Sequence, residues 1–402
     1  NSYRFITDMD SKITRLIEQA SVIVGALPYL QAYRDKTFLI KFGGSAMDDA
    51  RLVKKLMRDI VLLEVLGFNP VIVHGGGKAI SKAMAEAGLE ARFVNGLRVT
   101  TPEAISIVER TLSGTINPGL VQMFRDYGGK GVGIPGTEIF VGERIHEKDE
   151  QGNPIDIGEV GNVIGCLTER ITEALELQIT PIVSPLAKEL GTHKPLNVNA
   201  DLAAAALAKE LKPVKLIYIS DVPGIMKDPS DPSTLIKSVT RTEALDLIKD
   251  GTVSGGMIPK IHSAIDALNA GVRKVHFIDG RLPHTLLLEI FTPDGIGTEI
   301  IREQRCPPRR EIFPLSPGPV PAGGILLHAA HSRQPLRLLD PARPRAAWAC
   351  PGNAAPTGRQ GRFHQHAHAS LPRLAAGRQP PDPDGEKHGK RQFLPLHRYL
   401  HH

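Results

Sequence analysis

The chain contains few cysteines and no long apolar run. Three of its 402 residues are cysteines, and no two of them form a CxxC pair. This composition excludes a disulfide scaffold and a cysteine-rich metal site, and it is typical of a reducing compartment, so we expect a cytoplasmic protein. The longest early apolar run, 22–30, is interrupted by Gly25 and Pro28 and is far shorter than the roughly 20 residues of a membrane helix. We expect no membrane association and no metal held by protein side chains.

Two familiar nucleotide-binding motifs are also missing. The segment 75–78 reads Gly-Gly-Gly-Lys, but alanine follows it where a P-loop needs the serine or threonine that binds magnesium. The segment 131–136 matches GxGxxG, yet it contains Pro135 and leads into a strand-like run where a dinucleotide site needs a helix. We interpret it as a turn between strands. A nucleotide must therefore bind elsewhere.

Positive charge and proline are concentrated near the end of the chain. Residues 304–402 contain 13 arginines and two lysines against five acidic residues, together with 16 of the 32 prolines. This stretch has no sustained helical or strand period, so it cannot bury enough apolar surface to offset its chain entropy. We expect a disordered tail whose composition resembles the product of a shifted reading frame. Its basic residues are not interleaved with aromatics, which argues against a nucleic-acid partner.

The rest of the chain alternates between strand and helix patterns. Short runs rich in β-branched residues are followed in several places by helical patterns; the runs lie at 38–42, 70–74, 180–184, 215–220 and 274–278. Right-handed crossovers of this kind build a mainly parallel sheet with helices on both faces, and we predict such an open α/β sheet. Ligands bind at the carboxyl ends of its strands, where Gly43, Gly75 and Asp221 fall.

Four segments carry groups that suit a polyphosphate. Lys41 follows an apolar strand and precedes a glycine pair, and Lys260 follows another glycine pair in the first turn of a predicted helix. The segment 74–77 reads His-Gly-Gly-Gly, and 197–201 reads Asn-Val-Asn-Ala-Asp and ends in a carboxylate. Ammonium groups, exposed backbone amides and a helix N-terminus all attract phosphate. The pattern predicts phosphoryl transfer.

Together these motifs resemble the N-acetyl-L-glutamate kinases of the amino acid kinase superfamily. Lysine followed by two glycines alone would also fit aspartate, carbamate, uridylate and glutamate 5-kinases. Asn-Gly-Leu-Arg-Val-Thr at 95–100 combined with Asn-Val-Asn-Ala-Asp at 197–201 points to a much narrower group. Ser-Asp-Val-Pro-Gly at 220–224 and Gly-Gly-Met-x-x-Lys at 255–260 complete the match in the expected order. It implies phosphorylation of the side-chain carboxylate of N-acetyl-L-glutamate by ATP with Mg²⁺, the second step of arginine biosynthesis.

The resemblance also implies an architecture. We expect an eight-stranded, mainly parallel sheet in two lobes, with an amino-acid-substrate lobe at 35–190 and an ATP-binding lobe at 191–303. Residues 1–34 would form an additional N-terminal helix for oligomerisation.

Roles for single residues follow from the same resemblance. Lys41 and Lys260 would neutralise the transferring phosphoryl group, and Asp201 would hold both ammonium groups in place. Arg98 would clamp a substrate carboxylate through two parallel hydrogen bonds. Further substrate contacts would come from Gly44, Gly75, Gly76, Asn197 and Asn199, and the nucleotide would lie against Gly43, Ser220, Asp221, Gly224 and Met257. We interpret His74 as a structural residue, hydrogen-bonded at the end of a buried strand.

Both ends of the body resemble arginine-inhibited members of the family. Apolar residues at helical spacing between 16 and 27 would form a helix that interlaces dimers into a hexamer, a trimer of dimers. The segment 286–298 resembles the arginine-binding segment, in which Glu289 would pair with the cationic group of arginine beside His276 and Gly295. The run 286–292 also reads as a core strand. No motif decides whether a nitrogen-signalling PII protein binds.

Two segments depart from the family pattern. At 134–138 the chain reads Ile-Pro-Gly-Thr-Glu where the family tends to have a Ser-Gly-Lys-Asp-Gly-like turn, so we expect a different hairpin. Pro118 stands where the family often has lysine, and we expect it to shift a helix start.

Two other functions stay open at this point. One is a sibling kinase acting on carrier-linked aminoadipate, glutamate or aspartate. The other is a non-catalytic arginine-sensing protein of the same fold, and the intact Lys41, Lys260 and Asp201 argue against it.

Overall fold

The computed structural model describes residues 2–148 and 151–303, all within one compact unit of the chain. The disordered tail predicted for 304–402 lies outside the described residues. The helices are α1 (Ser2–Gly25), α2 (Leu27–Tyr33), α3 (Ala50–Val65), α4 (Gly77–Glu86), α5 (Pro102–Thr111), α6 (Asn117–Asp126), α7 (Glu169–Glu176), α8 (Ala200–Leu211), α9 (Arg241–Lys249), α10 (Met257–Asn269) and α11 (Thr285–Phe291).

Most of the strands belong to two sheets. They are β1 (Thr37–Phe42), β2 (Asn69–His74), β3 (Phe93–Val94), β4 (Leu97–Arg98), β5 (Gly131–Ile134), β6 (Phe140–Arg144), β7 (Glu147–Lys148), β8 (Pro154–Ile155), β9 (Val160–Cys166), β10 (Thr180–Val183), β11 (Leu186–Glu189), β12 (Pro195–Val198), β13 (Lys215–Ser220), β14 (Ser238–Thr240), β15 (Lys274–Asp279) and β16 (Thr298–Ile301). Short hairpins pair β3 with β4 and β7 with β8.

The main sheet has eight strands in the order β14-β16-β15-β13-β1-β2-β10-β5. Its neighbours run parallel except for β15 and β16. The predicted open, mainly parallel sheet is therefore confirmed. Because both faces are covered by helices, the central strands β1, β2 and β13 are buried at almost every position and are mostly apolar.

Alternate residues of one strand enter two different cores. On β1, Leu39 packs in the core that contains α8 and α10, whereas Phe38 and Ile40 pack in the core that contains α3, α6 and α11. Successive side chains of a strand point to opposite faces, so a continuous apolar run can fill both cores at once. The sheet is thereby held rigidly between two layers of helices.

Four further strands form a smaller sheet. It is a closed ring of four strands, β11-β12-β9-β6. Strands β11 and β12 pair as an antiparallel hairpin, with Leu186 opposite Asn197. The lobe boundary expected between 190 and 191 falls inside this hairpin, so we place the proposed division after Val198.

The structure corrects two local expectations. The predicted turn at the GxGxxG-like segment is wrong for its first four residues, which form strand β5 of the main sheet. The turn begins only at Pro135 and continues through a short 3₁₀ helix, Gly136–Glu138, into β6. The possible strand at 286–292 is wrong, because this run is helix α11. Leu286 and Ile290 are buried at a spacing of four residues while Leu288 is exposed, which is a helical pattern that a short apolar run hides.

Pro118 lies in the first turn of α6, which follows directly from a π-helical turn, Leu112–Ile116, at the end of α5. The fixed φ of proline is compatible with the helical backbone at this position. Among the described residues, no helix combines the length and the apolar character of a membrane span.

Candidate active site

Three charged side chains meet at the carboxyl end of the central strands. Lys41 lies near the end of β1, between Val73 of β2 and Tyr218 of β13. Asp201 lies in the first turn of α8, and Lys260 in the first turn of α10. The parallel sheet and two helix N-termini therefore converge on one point.

Asp201 bridges the two lysines. Its Oδ1 lies 2.6 Å from Nζ of Lys41, and its Oδ2 lies 2.6 Å from Nζ of Lys260. The exposed fractions of the three side chains are 7% for Lys41, 13% for Asp201 and 20% for Lys260. Two ammonium groups, predicted from segments far apart in the sequence, thus share one carboxylate.

The charges at this bridge depend on one another. Burial lowers the pKa of Lys41, the nearby ammonium of Lys260 lowers it further, and Asp201 opposes both effects. Burial alone would raise the pKa of Asp201, but the two lysines outweigh it and hold the pKa at about 2. Asp201 is therefore an anion at neutral pH, suited to holding cations and unsuited to accepting a proton.

Glycines allow two turns to touch beside Lys41. A Cβ atom on Gly43 would lie 2.9 Å from Nζ of Lys41, and one on Gly75 would lie 3.1 Å from Cα of Gly43. Gly44 has a φ of +70°, which other residues rarely adopt. The turn after β2 is tied to β1 because Gly75 N–H donates to the carbonyl of Phe42 at 2.7 Å. Any larger residue would separate the turns or displace the lysine.

A cavity of about 500 Å³ opens from this point. It is lined by Lys41 and Asp201 and by all six residues predicted to contact substrate, Gly44, Gly75, Gly76, Arg98, Asn197 and Asn199. A second cavity, of about 350 Å³, is lined by Lys260 and by the predicted nucleotide residues Asp221, Gly224 and Met257. Asp221 belongs to both cavities, so they meet at the charged bridge.

Two predicted nucleotide residues lie outside these linings. Gly43 packs between Lys41 and Gly75. Ser220 is buried, and its carbonyl accepts a hydrogen bond from Gly280 N–H at 2.7 Å. Both residues therefore support the site by packing beneath it, and neither lines either of the two cavities.

Arg98 is a buried cation that faces the larger cavity. Its Nη2 donates to the carbonyl of Gly77 at 2.7 Å and to Oγ of Ser81 at 2.8 Å, and the guanidinium lies 4.7 Å from the centroid of the Phe93 ring. Among the described residues, no carboxylate lies within ion-pair distance of it. A buried guanidinium without a counter-charge is well suited to an anionic ligand.

The two asparagines are held by different partners. Asn199 caps α8, with its Oδ1 accepting hydrogen bonds from the backbone N–H groups of Asp201 and Leu202. Asn197 donates from Nδ2 to Oγ1 of Thr100 at 3.1 Å. The sequence placed Thr100 within a motif but gave it no role.

A second missed residue is Tyr218, opposite Lys41 on β13. Its hydroxyl donates to the carbonyl of Asp201 at 3.3 Å and lies 3.0 Å from Oγ of Ser263 on α10, which can donate to it. Tyr218 thus joins the first turn of α8 to α10. It therefore sets the spacing of the two helices that carry Asp201 and Lys260. A tyrosine in an apolar strand was the only sequence signal.

His74 is structural, as predicted. It is fully buried at the end of β2, its Nδ1 donates to the carbonyl of Gly75 at 2.8 Å, and its Nε2 accepts from Nδ2 of Asn117 at 3.2 Å. Burial lowers the pKa of the ring to about 4, so it is neutral near pH 7. The neutral ring fixes the path of the backbone into the glycine turn.

The residues predicted to bind arginine lie together on the other half of the sheet. Oε1 of Glu289 lies 2.6 Å from Nδ1 of His276, and its Oε2 accepts from the N–H groups of Ile296 and Gly297 at 2.7 and 2.9 Å. A Cβ atom on Gly295 would lie 2.6 Å from the same oxygen. The Glu289 carboxylate is thus buried and already engaged. A cationic ligand would have to exchange with these partners.

No group of three or more His, Cys, Asp or Glu side chains within 2–148 and 151–303 could hold a metal ion.

Comparisons with known proteins agree on one family. The profile of the Amino acid kinase family matches residues 36–279. The acetylglutamate kinase of Halothermothrix orenii is 43% identical over 293 residues, covering 72% of this chain and 99% of the relative. The acetylglutamate kinase of Methanocaldococcus jannaschii is 43% identical over 301 residues, covering 73% of this chain and 100% of the relative.

Solved structures show the same fold. The N-acetylglutamate synthase from Neisseria gonorrhoeae, complexed with coenzyme A and N-acetyl-glutamate, gives a TM-score of 0.62 at 26% identity, covering 71% of this chain and 64% of that one. The same synthase complexed with coenzyme A and L-arginine gives a TM-score of 0.60 at 25% identity, covering 71% of this chain and 65% of that one.

The charged bridge can be tested by titration. Asp201→Asn should lower the pKa of Lys41, because it removes the counter-charge while burial and Lys260 remain. Asp221→Asn is the matched control, since Asp221 raises the pKa of Lys41 more weakly. An NMR titration of the Lys41 side-chain signals measures both. Equal pKa values in the wild type and Asp201→Asn would contradict the bridge.

Proposed function

The chain belongs to the amino acid kinase family and, within it, to the acetylglutamate kinases, and from this premise we propose that it transfers the γ-phosphoryl group of ATP to the side-chain carboxylate of N-acetyl-L-glutamate. The observation that carries the proposal is the position of the Lys41–Asp201–Lys260 bridge. It lies where the two cavities meet, and each cavity is lined by one of the lysines. A phosphoryl group passing between the cavities would cross between two ammonium groups.

The proposed chemistry needs positive charge more than proton transfer. The transferring phosphoryl group spreads negative charge over its equatorial oxygens, and Lys41 and Lys260 would neutralise it from two sides. The acceptor carboxylate is already a nucleophile at neutral pH, so no general base is required. Asp201, whose pKa is about 2, would remain an anion and hold both lysine side chains in place.

The smaller cavity suits a nucleotide. It is lined mainly by apolar residues, and Gly256 and Lys260 bring the N-terminus of α10 to its edge, where phosphates bind well. Mg²⁺ would arrive on the nucleotide's phosphates, since the described part of the chain offers no cluster of three acidic or imidazole ligands. Asp221 is the carboxylate that lines both cavities and would lie nearest to such an ion.

The larger cavity suits a dicarboxylate. Arg98, with its unmatched buried charge, would bind the α-carboxylate, and the side-chain carboxylate would then extend toward the glycine turns and Lys41. This division between a binding cation and two catalytic cations would explain why a substrate with two carboxylates is phosphorylated on only one.

Product trapping with hydroxylamine tests this proposal, because an acyl phosphate reacts to form a coloured hydroxamate. We expect turnover with N-acetyl-L-glutamate far above that with glutamate, aspartate or N-acetylaminoadipate.

Arg98→Lys, which keeps the charge but loses the two-pronged geometry, should raise KM for N-acetyl-L-glutamate by roughly tenfold or more and that for ATP much less.

The outcomes separate the candidate functions. Preferred turnover of another acid would favour a sibling kinase, and absence of turnover with every acid would favour a binding protein. If Arg98→Lys raised KM only for ATP, the assignment of the two cavities would be wrong.

We further propose that helix α1 assembles the enzyme into a hexamer. Its apolar side chains face solvent in the single chain, with exposed fractions from 48% at Ile13 to 74% at Val22. A helix with such a surface gains stability by burying it against another copy, and a closed ring of dimers would bury every such helix.

We also propose that arginine inhibits the enzyme by binding at Glu289. The helix that carries this residue contacts the N-terminal segment, because the rings of Phe291 on α11 and Tyr29 on α2 pack edge to face, with centroids 6.1 Å apart. A ligand that exchanges with the partners of Glu289 would shift α11 and, through α2, the proposed ring. Effector binding and assembly would then be thermodynamically linked.

Three variants test this regulation. Removing residues 1–25 leaves α2 in place and should give an active dimer with weakened arginine inhibition. Glu289→Gln keeps the shape of the side chain and should keep the hexamer while losing inhibition. Removing 304–402 should change neither property, as expected of a tail without a site. Sedimentation and arginine titration measure both; a wild-type dimer that is insensitive to millimolar arginine would refute the regulatory proposal.

A further inference from the structure

The hydroxyl group of Thr100 has a defined hydrogen-bond direction. Thr100 is fully buried next to Arg98, and its Oγ1 donates to the Arg98 carbonyl at 3.0 Å. Oγ1 also lies 3.1 Å from Nδ2 of Asn197. A hydroxyl has one proton and a carbonyl oxygen can only accept, so Thr100 must accept from the Asn197 amide.

This direction fixes which end of the Asn197 amide faces the cavity. With Nδ2 bound to Thr100, Oδ1 is left as a hydrogen-bond acceptor in the cavity wall, and no described residue donates to it. Asn199 is held the other way, because its Oδ1 caps α8 and leaves Nδ2 as a donor. The wall therefore offers one acceptor and one donor, the complement of a secondary amide.

The backbones of Thr100 and Asn197 are both hydrogen-bonded to the segment 157–159. Thr100 N–H donates to the carbonyl of Ile157 at 2.9 Å, and Glu159 N–H donates to the carbonyl of Thr100 at 2.6 Å. Asn197 N–H donates to the carbonyl of Glu159 at 2.9 Å. The carboxylate of Glu159 is itself held by Arg144 at 2.5 Å. Thr100 and Asn197 cannot separate without breaking these bonds.

We propose that Thr100 is a specificity-determining positioning residue: by fixing the Asn197 amide, it makes the site require an N–H group on the α-substituent of its substrate. This rests on the proposed function, and it narrows the substrate class to N-acyl, as opposed to O-acyl, α-substituted dicarboxylic acids. In an ester, an oxygen would replace the N–H group. This oxygen and Oδ1 of Asn197 are both hydrogen-bond acceptors, so they would face each other without forming a hydrogen bond. A site built around a hydrogen bond strongly rejects an analogue that lacks this bond, because the polar group of the site is then left unpaired.

The test compares N-acetyl-L-glutamate with its ester analogue, 2-acetoxyglutarate. Release of ADP is the readout, because hydroxylamine would attack the ester. Thr100→Val keeps the shape and removes the hydroxyl, whereas Thr100→Ser keeps the hydroxyl. Thr180→Val is the packing control, because this buried threonine lies on β10 and its Oγ1 has no hydrogen-bond partner among the described residues.

We expect the wild type to prefer the amide over the ester by about a hundredfold or more in kcat/KM. Thr100→Val should reduce this preference by about tenfold or more with little change in KM for ATP, because the Asn197 amide becomes free to turn over. Thr100→Ser and Thr180→Val should retain it. An unselective wild type, or a Thr100→Val variant that loses both activities in equal proportion, would overturn the proposal.

A second variant keeps the proposal testable if Thr100→Val does not fold. Asn197→Ala should lose the preference, and adding Thr100→Val to it should reduce the preference no further, since Thr100 acts through Asn197. A retained preference in Asn197→Ala would overturn the inference. A wild type that phosphorylates neither compound would instead refute the proposed function, whereas one that phosphorylates both equally would refute only this inference.

Discussion

The carboxylate of Asp201 is the group on which the arrangement of the site depends. Burial and the nearby ammonium of Lys260 both lower the pKa of Lys41, and Asp201 opposes both effects while it bridges the two lysines. Removing one partner from a buried ion pair commonly costs about 3–5 kcal/mol, since it leaves an uncompensated charge. The bridge holds the two lysine side chains beside the point where the two cavities meet.

The fold supplies the three members of this bridge from separate elements. Lys41 comes from a central strand with apolar cores on both faces, whereas Asp201 and Lys260 come from the first turns of two helices. The Tyr218 and Ser263 hydroxyls tie those two helices together. Parallel strands end and helices begin at the same edge of the sheet, so this fold concentrates positive potential at the point where a nucleotide and an acceptor would meet.

Much of this could be predicted from the sequence, because glycine-flanked lysines and apolar strands leave strong local patterns. The closed ring of β11, β12, β9 and β6 could not, since β11 and β12 pair with strands that lie farther back in the chain. Helix α11 was missed because a short apolar run fits a strand and a buried helix equally well. The direction of the Thr100 hydrogen bond was invisible, because a residue type does not reveal its partner.

The most direct test is to measure the turnover of Lys41→Ala and Lys260→Ala with both substrates saturating. Lys274→Ala is the control, because it removes a more exposed lysine at the start of β15. Each of the first two variants should lose roughly a hundredfold or more in kcat while the ATP dissociation constant changes much less, because each lysine acts mainly on the charge that develops during transfer. Near-normal kcat in either variant would contradict a charge-neutralising role for these lysines.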